Sequence, residues 1–297
     1  MDISGYALVT GGASGIGKAC CHALAQEGAS GILVADINLD GAKDTVAAIR
    51  AVAVHPEFRA EAIRVDVSQE DSVRDAISHM TGLFGRIDYS VHCAGVPGGT
   101  SDPISTASFP DFKRLLEVNV HGTFLVTRAV SAAMKAQDPK PVHAKYPERG
   151  TSRGVIVNLA SVSSHICLPN MVQYNTSKHA VLGITKTAGM VVTFRPPPLL
   201  TADFDSDLSS GLAIDNVSHG IRVNCVCPTW TDTPMITRAM EVVPGLEQRL
   251  LTGMPMGRLC RPEEVADTVL YLCSPRSSFT TGTGMIMDGG MSLSIKS

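Results

Sequence analysis

Tyr174 and Lys178 stand four residues apart in a stretch with helical periodicity, so one turn of helix puts the phenol and the ammonium on one face. A free phenol, with a pKa of about 10, is a poor base at neutral pH, and a neighbouring ammonium favours its ionised form. Ser161 lies upstream, just after an apolar run at 155–160, where its hydroxyl can reach the substrate oxygen that the phenol addresses. A Tyr-x-x-x-Lys pair alone is common. With a serine placed this way it is a set for moving a proton to or from a hydroxyl or carbonyl oxygen.

A second set of residues suits a phosphate-bearing ligand. Thr10-Gly11-Gly12-Ala13-Ser14-Gly15-Ile16-Gly17 lies between a strand-like run and a helical one. Glycines there permit a tight turn and close approach to a pyrophosphate, and the following helix offers free N–H groups and the positive end of its dipole. Asp36, followed by Ile37, closes the second strand-like run. A carboxylate there accepts hydrogen bonds from adenosine ribose hydroxyls and repels a 2′-phosphate, and no Lys or Arg directly follows it, so NAD(H) is expected over NADP(H). Asp66 and Val67 end the third strand-like run, where the carboxylate can meet the adenine amino group or cap the helix that follows.

These groups need a scaffold. Short β-branched runs alternate with amphipathic stretches, the rhythm of βαβ units. Strands are expected at 6–10, 31–35, 61–65, 89–93, 155–160, 221–225 and 284–287. Helices are expected at 16–27, 39–52, 69–84, 111–135, 171–192 and 262–273. The pattern predicts an α/β fold, a Rossmann-like doubly wound parallel sheet of seven strands with helices on both faces, spanning 1–297 as one domain. Two segments, 138–153 and 194–218, read as surface insertions able to serve a lid or a subunit contact, and 229–258 reads as a substrate flap.

Composition excludes other classes. A net charge of -3 leaves no electrostatic footprint for nucleic acid or an anionic membrane surface. No apolar run reaches the roughly 18 residues of a membrane span, and the first strand starts too early for a signal peptide to precede it. Of the eight cysteines only Cys225 and Cys227 form a close pair, inside an apolar strand, where they read as small buried hydrophobes and not as metal ligands. No metal is expected, and a reducing cytoplasm is the expected location.

Taken together, the motifs resemble the classical branch of the short-chain dehydrogenase/reductase family over almost the whole chain outside the two insertions. Thr10–Gly17 matches its Thr-Gly-x-x-x-Gly-x-Gly, Asp66 its adenine-contacting aspartate, and Asn119 its helix asparagine. Ser161, Tyr174 and Lys178 match its catalytic serine and Tyr-x-x-x-Lys, and Asp288-Gly289-Gly290 resembles the stretch closing its last strand. The resemblance implies that Tyr174 exchanges a proton with the substrate and Ser161 orients the substrate oxygen. Lys178 would hold the nicotinamide ribose, and Asn119 would hold a water linking Lys178 to solvent. It also implies a homotetramer or dimer built on helices 111–135 and 171–192. Two motifs depart from the family. Its Asn-Asn-Ala-Gly is His92-Cys93-Ala94-Gly95, which keeps the small end facing the adenosine ribose and makes His92 a structural substitute. Its Pro-Gly is Pro228-Thr229, while Thr231 and Thr233 still match positions near the carboxamide and phosphates.

Ligands in such folds bind beyond the carboxyl ends of the strands. Val96, Ser163, Leu168, Trp230 and Met235 are therefore expected to wall the substrate end beside Ser161 and Tyr174. These groups carry no net charge, which suits a mid-sized apolar alcohol or ketone such as a terpenoid, steroid-like or polyketide-derived compound. The expected activity is NAD(H)-dependent interconversion of a secondary alcohol and a ketone, with oxidation favoured because cellular NAD pools run oxidised. The alternatives are carbonyl reduction, a non-redox cyclase or isomerase, and a cofactor-binding protein.

Overall fold

The computed structural model describes residues 3–98, 102–190 and 216–293. Gly99, the bulk of the expected insertion at 194–218, and the C-terminal 294–297 lie outside the described residues. Seven strands form one parallel sheet: β1 (Tyr6–Thr10), β2 (Gly31–Asp36), β3 (Arg59–Arg64), β4 (Tyr89–His92), β7 (Gly154–Leu159), β8 (Ile221–Pro228) and β9 (Gly284–Met287). Their order across the sheet is β3-β2-β1-β4-β7-β8-β9. The expected α/β architecture is the observed one.

Side chains alternate across each strand, so the sheet needs an apolar cover on both faces. Ala7, Val9, Ile32 and Val34 meet α1 (Gly15–Gln26), α2 (Leu39–Arg50) and α9 (Pro262–Cys273) on one side. Leu8, Leu33, Ile156 and Val223 meet α3 (Glu70–Phe84) and α5 (Gly122–Ala136) on the other, where α6 (Val172–Ala188) also packs on the sheet. Local chemistry sets the helix ends: the Asn38 side chain accepts from Gly41 N at the start of α2, and Gly85, at φ 77°, ends α3.

The structure moves several expected boundaries. β3 begins at Arg59, two residues early, because it pairs with β2 from Gly31 onward, and the Arg59 guanidinium lies 5.1 Å from the Phe84 ring centre. β8 runs on to Pro228 because β9 pairs with its second half from Cys225. The helix expected at 111–135 starts at Phe109 as α4 (Phe109–Leu116) and is interrupted by a π-helical turn, Glu117–His121, before α5. That turn carries Asn119.

The insertion at 138–153 is partly structured. Strands β5 (Lys140–Pro141) and β6 (Thr151–Ser152) pair antiparallel. Lys140 Nζ approaches the Asp88 carboxylate at 3.4 Å, and Arg149 donates to Pro275 O at 3.2 Å. Because it enters β7 at its amino end, it lies at the end of the sheet opposite the carboxyl edge. A lid role there is ruled out by geometry.

Between β8 and α9 lie α7 (Pro234–Val242) and α8 (Leu246–Thr252), the expected flap region. Residues of α7 are none of them fully buried, and Leu250 alone is buried in α8. The segment is pinned where it rejoins the domain. Arg258 grips Glu264 through two nitrogens at 2.8 and 2.7 Å, and Arg261 N donates to the same carboxylate at 2.8 Å. Hydrogen bonds from Arg258 and from that backbone N–H pull the Glu264 carboxyl down to about 2. A depressed carboxyl contributes stability above its unfolded value, lost as pH falls through the folded one. Hydrogen exchange across residues 246–261 should therefore be slow from pH 7 down to pH ~4.5 and quicken as pH drops toward 2, after correction for intrinsic exchange. Glu264→Gln should show the fast behaviour already at pH 7; equal protection in variant and wild type at pH 7 would remove the clamp from this account.

Candidate active site

The glycine loop is shaped by contacts that admit no side chain. Gly11 has φ 68°, and a Cβ there would stand 2.6 Å from Ala94 N; one on Gly17 would stand 2.1 Å from Gly11 O. The loop therefore lies directly on the backbone that follows β4. Ser14 precedes α1 in an extended conformation and makes no side-chain capping bond, and the first turn of α1 holds no acid. The amino end of a three-turn helix is thus left for a ligand anion to complete.

Asp36 is fixed at the carboxyl end of β2. Its Oδ2 accepts from Ala13 N at 3.0 Å and its Oδ1 from Asn38 N at 2.9 Å, so the carboxylate is tied to the glycine loop itself. Asp66 Oδ1 accepts from Ser68 N at 3.0 Å and Ser68 Oγ at 2.7 Å. The helix cap at this point is Gln69, so Asp66 shapes the turn before α3 and does not cap the helix.

The chemistry-bearing half is held by a buried polar network. Lys178 is buried and its Nζ donates to Leu159 O at 2.9 Å, 5.7 Å from the centre of the Tyr174 ring. Its helical turn is anchored where Ser164 Oγ donates to Lys178 O at 2.6 Å and Ser177 Oγ to Tyr174 O at 2.8 Å. Ser161 begins a 3-10 turn, with its Oγ accepting from Ser163 N at 3.2 Å. The Asn175 side chain accepts from Leu168 N at 3.3 Å and donates to Leu168 O at 2.8 Å, holding the loop before α6 against that helix.

All these parts open onto one cavity of about 410 Å³ at the carboxyl edge of the sheet. Gly11, Ser14, Gly15, Ile16 and Gly17 form one end with Asp36, Ile37, Asp66 and Val67. Cys93, Ala94 and Gly95 also line it, as do Pro228, Thr231 and Thr233, the last beside Gly15. Ser161, Tyr174 and Lys178 close the other end among Val96, Ser163, Leu168, Trp230 and Met235. Met171 and Val118 also line it, and sequence reasoning missed both. Met171 lies one helical turn before Tyr174 and Val118 beside Asn119, the signals that point to them.

Two expected site residues stand one layer behind the cavity lining. Asn119 is buried; its Oδ1 accepts from Val96 N at 2.8 Å, while its Nδ2 donates to Val96 O at 3.0 Å and Ser177 Oγ at 3.2 Å. Its side chain therefore locks the Val96 loop to α6, and its main-chain carbonyl accepts from Thr123 Oγ1 at 2.7 Å. Thr10 points beneath the loop, with its Oγ1 2.7 Å from His92 Nδ1. The expected close pair Cys225 and Cys227 is buried, with sulfurs 3.9 Å apart.

The cavity's residues fit a dinucleotide: a bare helix terminus in a glycine cradle, a backbone-held carboxylate at one end, and a phenol, a lysine and a serine at the other. A family model described as short chain dehydrogenase matches residues 5–193. The chain belongs to the short-chain dehydrogenase/reductase family. A second model, described as enoyl-(acyl carrier protein) reductase, matches residues 206–292. A short-chain dehydrogenase of Aspergillus ruber is 50% identical over 100% of both chains. A 2,5-dichloro-2,5-cyclohexadiene-1,4-diol dehydrogenase of Sphingobium indicum is 34% identical, covering 97% of this chain and 98% of its own. Among solved structures, 3-ketoacyl-(acyl-carrier-protein) reductase from Brucella melitensis complexed with NADH superposes with a TM-score of 0.73. It is 26% identical, over 97% of this chain and 98% of that one. Short-chain dehydrogenases/reductases generally bind NAD(P)(H), and this chain is an oxidoreductase of that family.

Gly11 tests the cradle. An alanine held at φ 68° costs about 1–2 kcal/mol in backbone strain alone, before its clash with Ala94 N. Gly11→Ala should lower the melting temperature by at least a few degrees and weaken NADH binding more than tenfold. Unchanged affinity by calorimetry would mean that the loop does not need this approach.

Proposed function

We propose that this protein is an NAD(H)-dependent dehydrogenase/reductase that interconverts a secondary alcohol and a ketone on a mid-sized, largely apolar small molecule. The observation that carries the reading is the single cavity with Asp36 at one end and Ser161, Tyr174 and Lys178 at the other. When bound, the dinucleotide supplies or accepts the hydride. The protein's own share is positioning and proton movement. Tyr174 Oη gives its proton to the substrate oxygen in reduction and takes it back in oxidation. Ser161 Oγ, held by Ser163 N, orients that oxygen. Lys178 sets its charge close to the Tyr174 ring and lies within the same cavity for a ribose to meet. Asn119 acts by fixing Val96 and α6 around the pair.

Asp36 supports NAD(H) over NADP(H). The carboxylate is held by two backbone N–H groups at the cavity wall, and Ile37 and Asn38 beside it bring no cation. A 2′-phosphate would meet this negative charge. The substrate end favours a neutral ligand: Lys178 is the sole charged side chain there among the described lining residues, and Val96, Leu168, Met171, Trp230 and Met235 make the walls. Polyketide-derived, terpenoid or steroid-like alcohols have this character, and the diol dehydrogenase relative acts, by its name, on a ring alcohol. The segment 229–258, with Trp230 and Met235 on the cavity, serves as the flap. Oxidation is the favoured direction, and carbonyl reduction uses the same groups in reverse. The chain works as a homo-oligomer, dimer or tetramer, and its unpaired thiols suit a reducing cytoplasm. No described helix is long and apolar enough to cross a membrane.

Binding and turnover test the reading together. NADH should bind more tightly than NADPH by calorimetry, and a panel of apolar secondary alcohols and ketones should include members that change absorbance at 340 nm. Tyr174→Phe should lower kcat by at least roughly 100-fold, the lower range for lost acid–base catalysis, while NADH affinity stays within threefold. Substantial residual turnover would remove Tyr174 from the proton step. Asp36→Ala should weaken NADH binding roughly tenfold or more, as expected for a lost charged hydrogen-bond acceptor, and spare NADPH. An unchanged NADH-to-NADPH ratio would refute the selectivity argument.

A further inference from the structure

His92 is a buried titratable group that the proton-transfer site does not use. It ends β4, 2% exposed, in register with Thr10 on one side and Asn158 on the other. Its Nδ1 lies 2.7 Å from Thr10 Oγ1. The same hydroxyl oxygen accepts from Ala94 N at 3.4 Å, and Cys93 N donates to Thr10 O at 3.1 Å. The threonine hydroxyl has one proton to give, and Nδ1 is the acceptor in reach. That assignment leaves Nδ1 bare and places the imidazole proton on Nε2. Burial, and after it the positive charge of Lys178, push the imidazole down to about 3, so it is neutral.

Nε2 has no partner. An apolar residue would avoid that buried, unpaired donor, so core filling alone does not account for an imidazole here. The acceptor at Nδ1 does. Thr10 leads into Gly11, and Ala94 follows two residues after His92. The point where they meet is where a Cβ on Gly11 would stand 2.6 Å from Ala94 N. Both cavity-lining loops, the glycine loop and Cys93-Ala94-Gly95, leave the sheet from this one junction.

We propose that His92 is a positioning residue for the dinucleotide: by accepting the Thr10 hydroxyl proton it fixes the glycine loop and the Ala94-Gly95 loop at the separation the ligand needs. The inference rests on the dinucleotide reading above and extends it to a residue outside the cavity lining.

The test compares NADH affinity in His92→Leu, Thr10→Val and the double variant, by calorimetry, with melting temperatures measured without nucleotide. Each single change should weaken NADH roughly tenfold. The double variant should be no weaker than Thr10→Val alone, because both single changes remove the same bond between His92 and Thr10. His92→Leu removes the unpaired Nε2 donor but leaves the buried Thr10 hydroxyl without its acceptor, so it should melt within a few degrees of wild type. Independently of any variant, nitrogen NMR of histidine-labelled wild type should show one imidazole locked with its proton on Nε2. Unchanged NADH affinity, additive losses in the double variant, or a proton on Nδ1 would each overturn the proposal. Wild-type protein that binds neither NADH nor NADPH would fail the dinucleotide reading itself, a result distinct from wild-type binding that the variants retain in full.

Discussion

The crevice between β1 and β4 is the constraint on which the rest of the molecule depends. From β1 the chain builds outward through β2 and β3, then crosses back to place β4 on the other side of β1. The loops after β1 and β4 therefore leave in opposite directions and open a gap at the carboxyl edge. Here the gap is made very close: Gly11 lies against the Ala94 backbone with no room for a Cβ. Two further site features are tied to the loops that meet there. Asp36 is tied to Ala13 in the same loop, and Val96, just past Ala94, is tied to Asn119.

A layer of buried polar side chains carries this order across the domain. Asn158, next to last in β7, donates to Thr185 of α6 at 3.1 Å and receives a bond from Thr127 of α5 at 3.4 Å. Asn119 links the Val96 loop to Ser177, and Asn175 binds the Leu168 loop. Buried amides with their bonds made specify one arrangement, since any shift leaves a polar group unpaired in a low-dielectric interior. Tyr174 and Lys178 are thus set on a helix fixed from three sides, which suits chemistry that depends on geometry. The π-helical turn at Glu117–His121 has a clear consequence in this scheme. Between α4 and α5 the wider turn carries Asn119, and its side chain reaches Val96 of the cavity lining.

Much of this was legible in the chain. Parallel strands buried on both faces read as β-branched runs, and the helices between them carry apolar stripes, so the seven strands and their order of appearance follow from pattern. The glycine loop, Asp36, Ser161, Tyr174 and Lys178 stand out by type and spacing, and the structure brings them to one cavity. Boundaries were less legible. β8 is longer than its apolar run because its far end is stabilised by β9, which lies about sixty residues away in sequence, a span only pairing can close. The ribbon at 140–152 was hidden for a similar reason: Lys140 and Arg149 are ordinary surface residues until Asp88 and Pro275 are brought beside them.

The sequence by itself determined the chemistry available: a phenol and a lysine on one helical face, a glycine-rich loop, a carboxylate ending a strand, and an apolar pattern that suits a two-faced parallel sheet. Those are local properties, fixed by residue type and by the period of helix and strand. The tertiary structure decided which of those residues face the cavity and which support it. Thr10 and Asn119 belong to the site's motifs, yet both spend their side chains on neighbours beneath the lining, and His92 becomes part of the site through Thr10 alone. The physical reason is that a side chain's role is set by the hydrogen-bond partners left within about 3 Å of it, and those partners come from strands and loops distant in sequence.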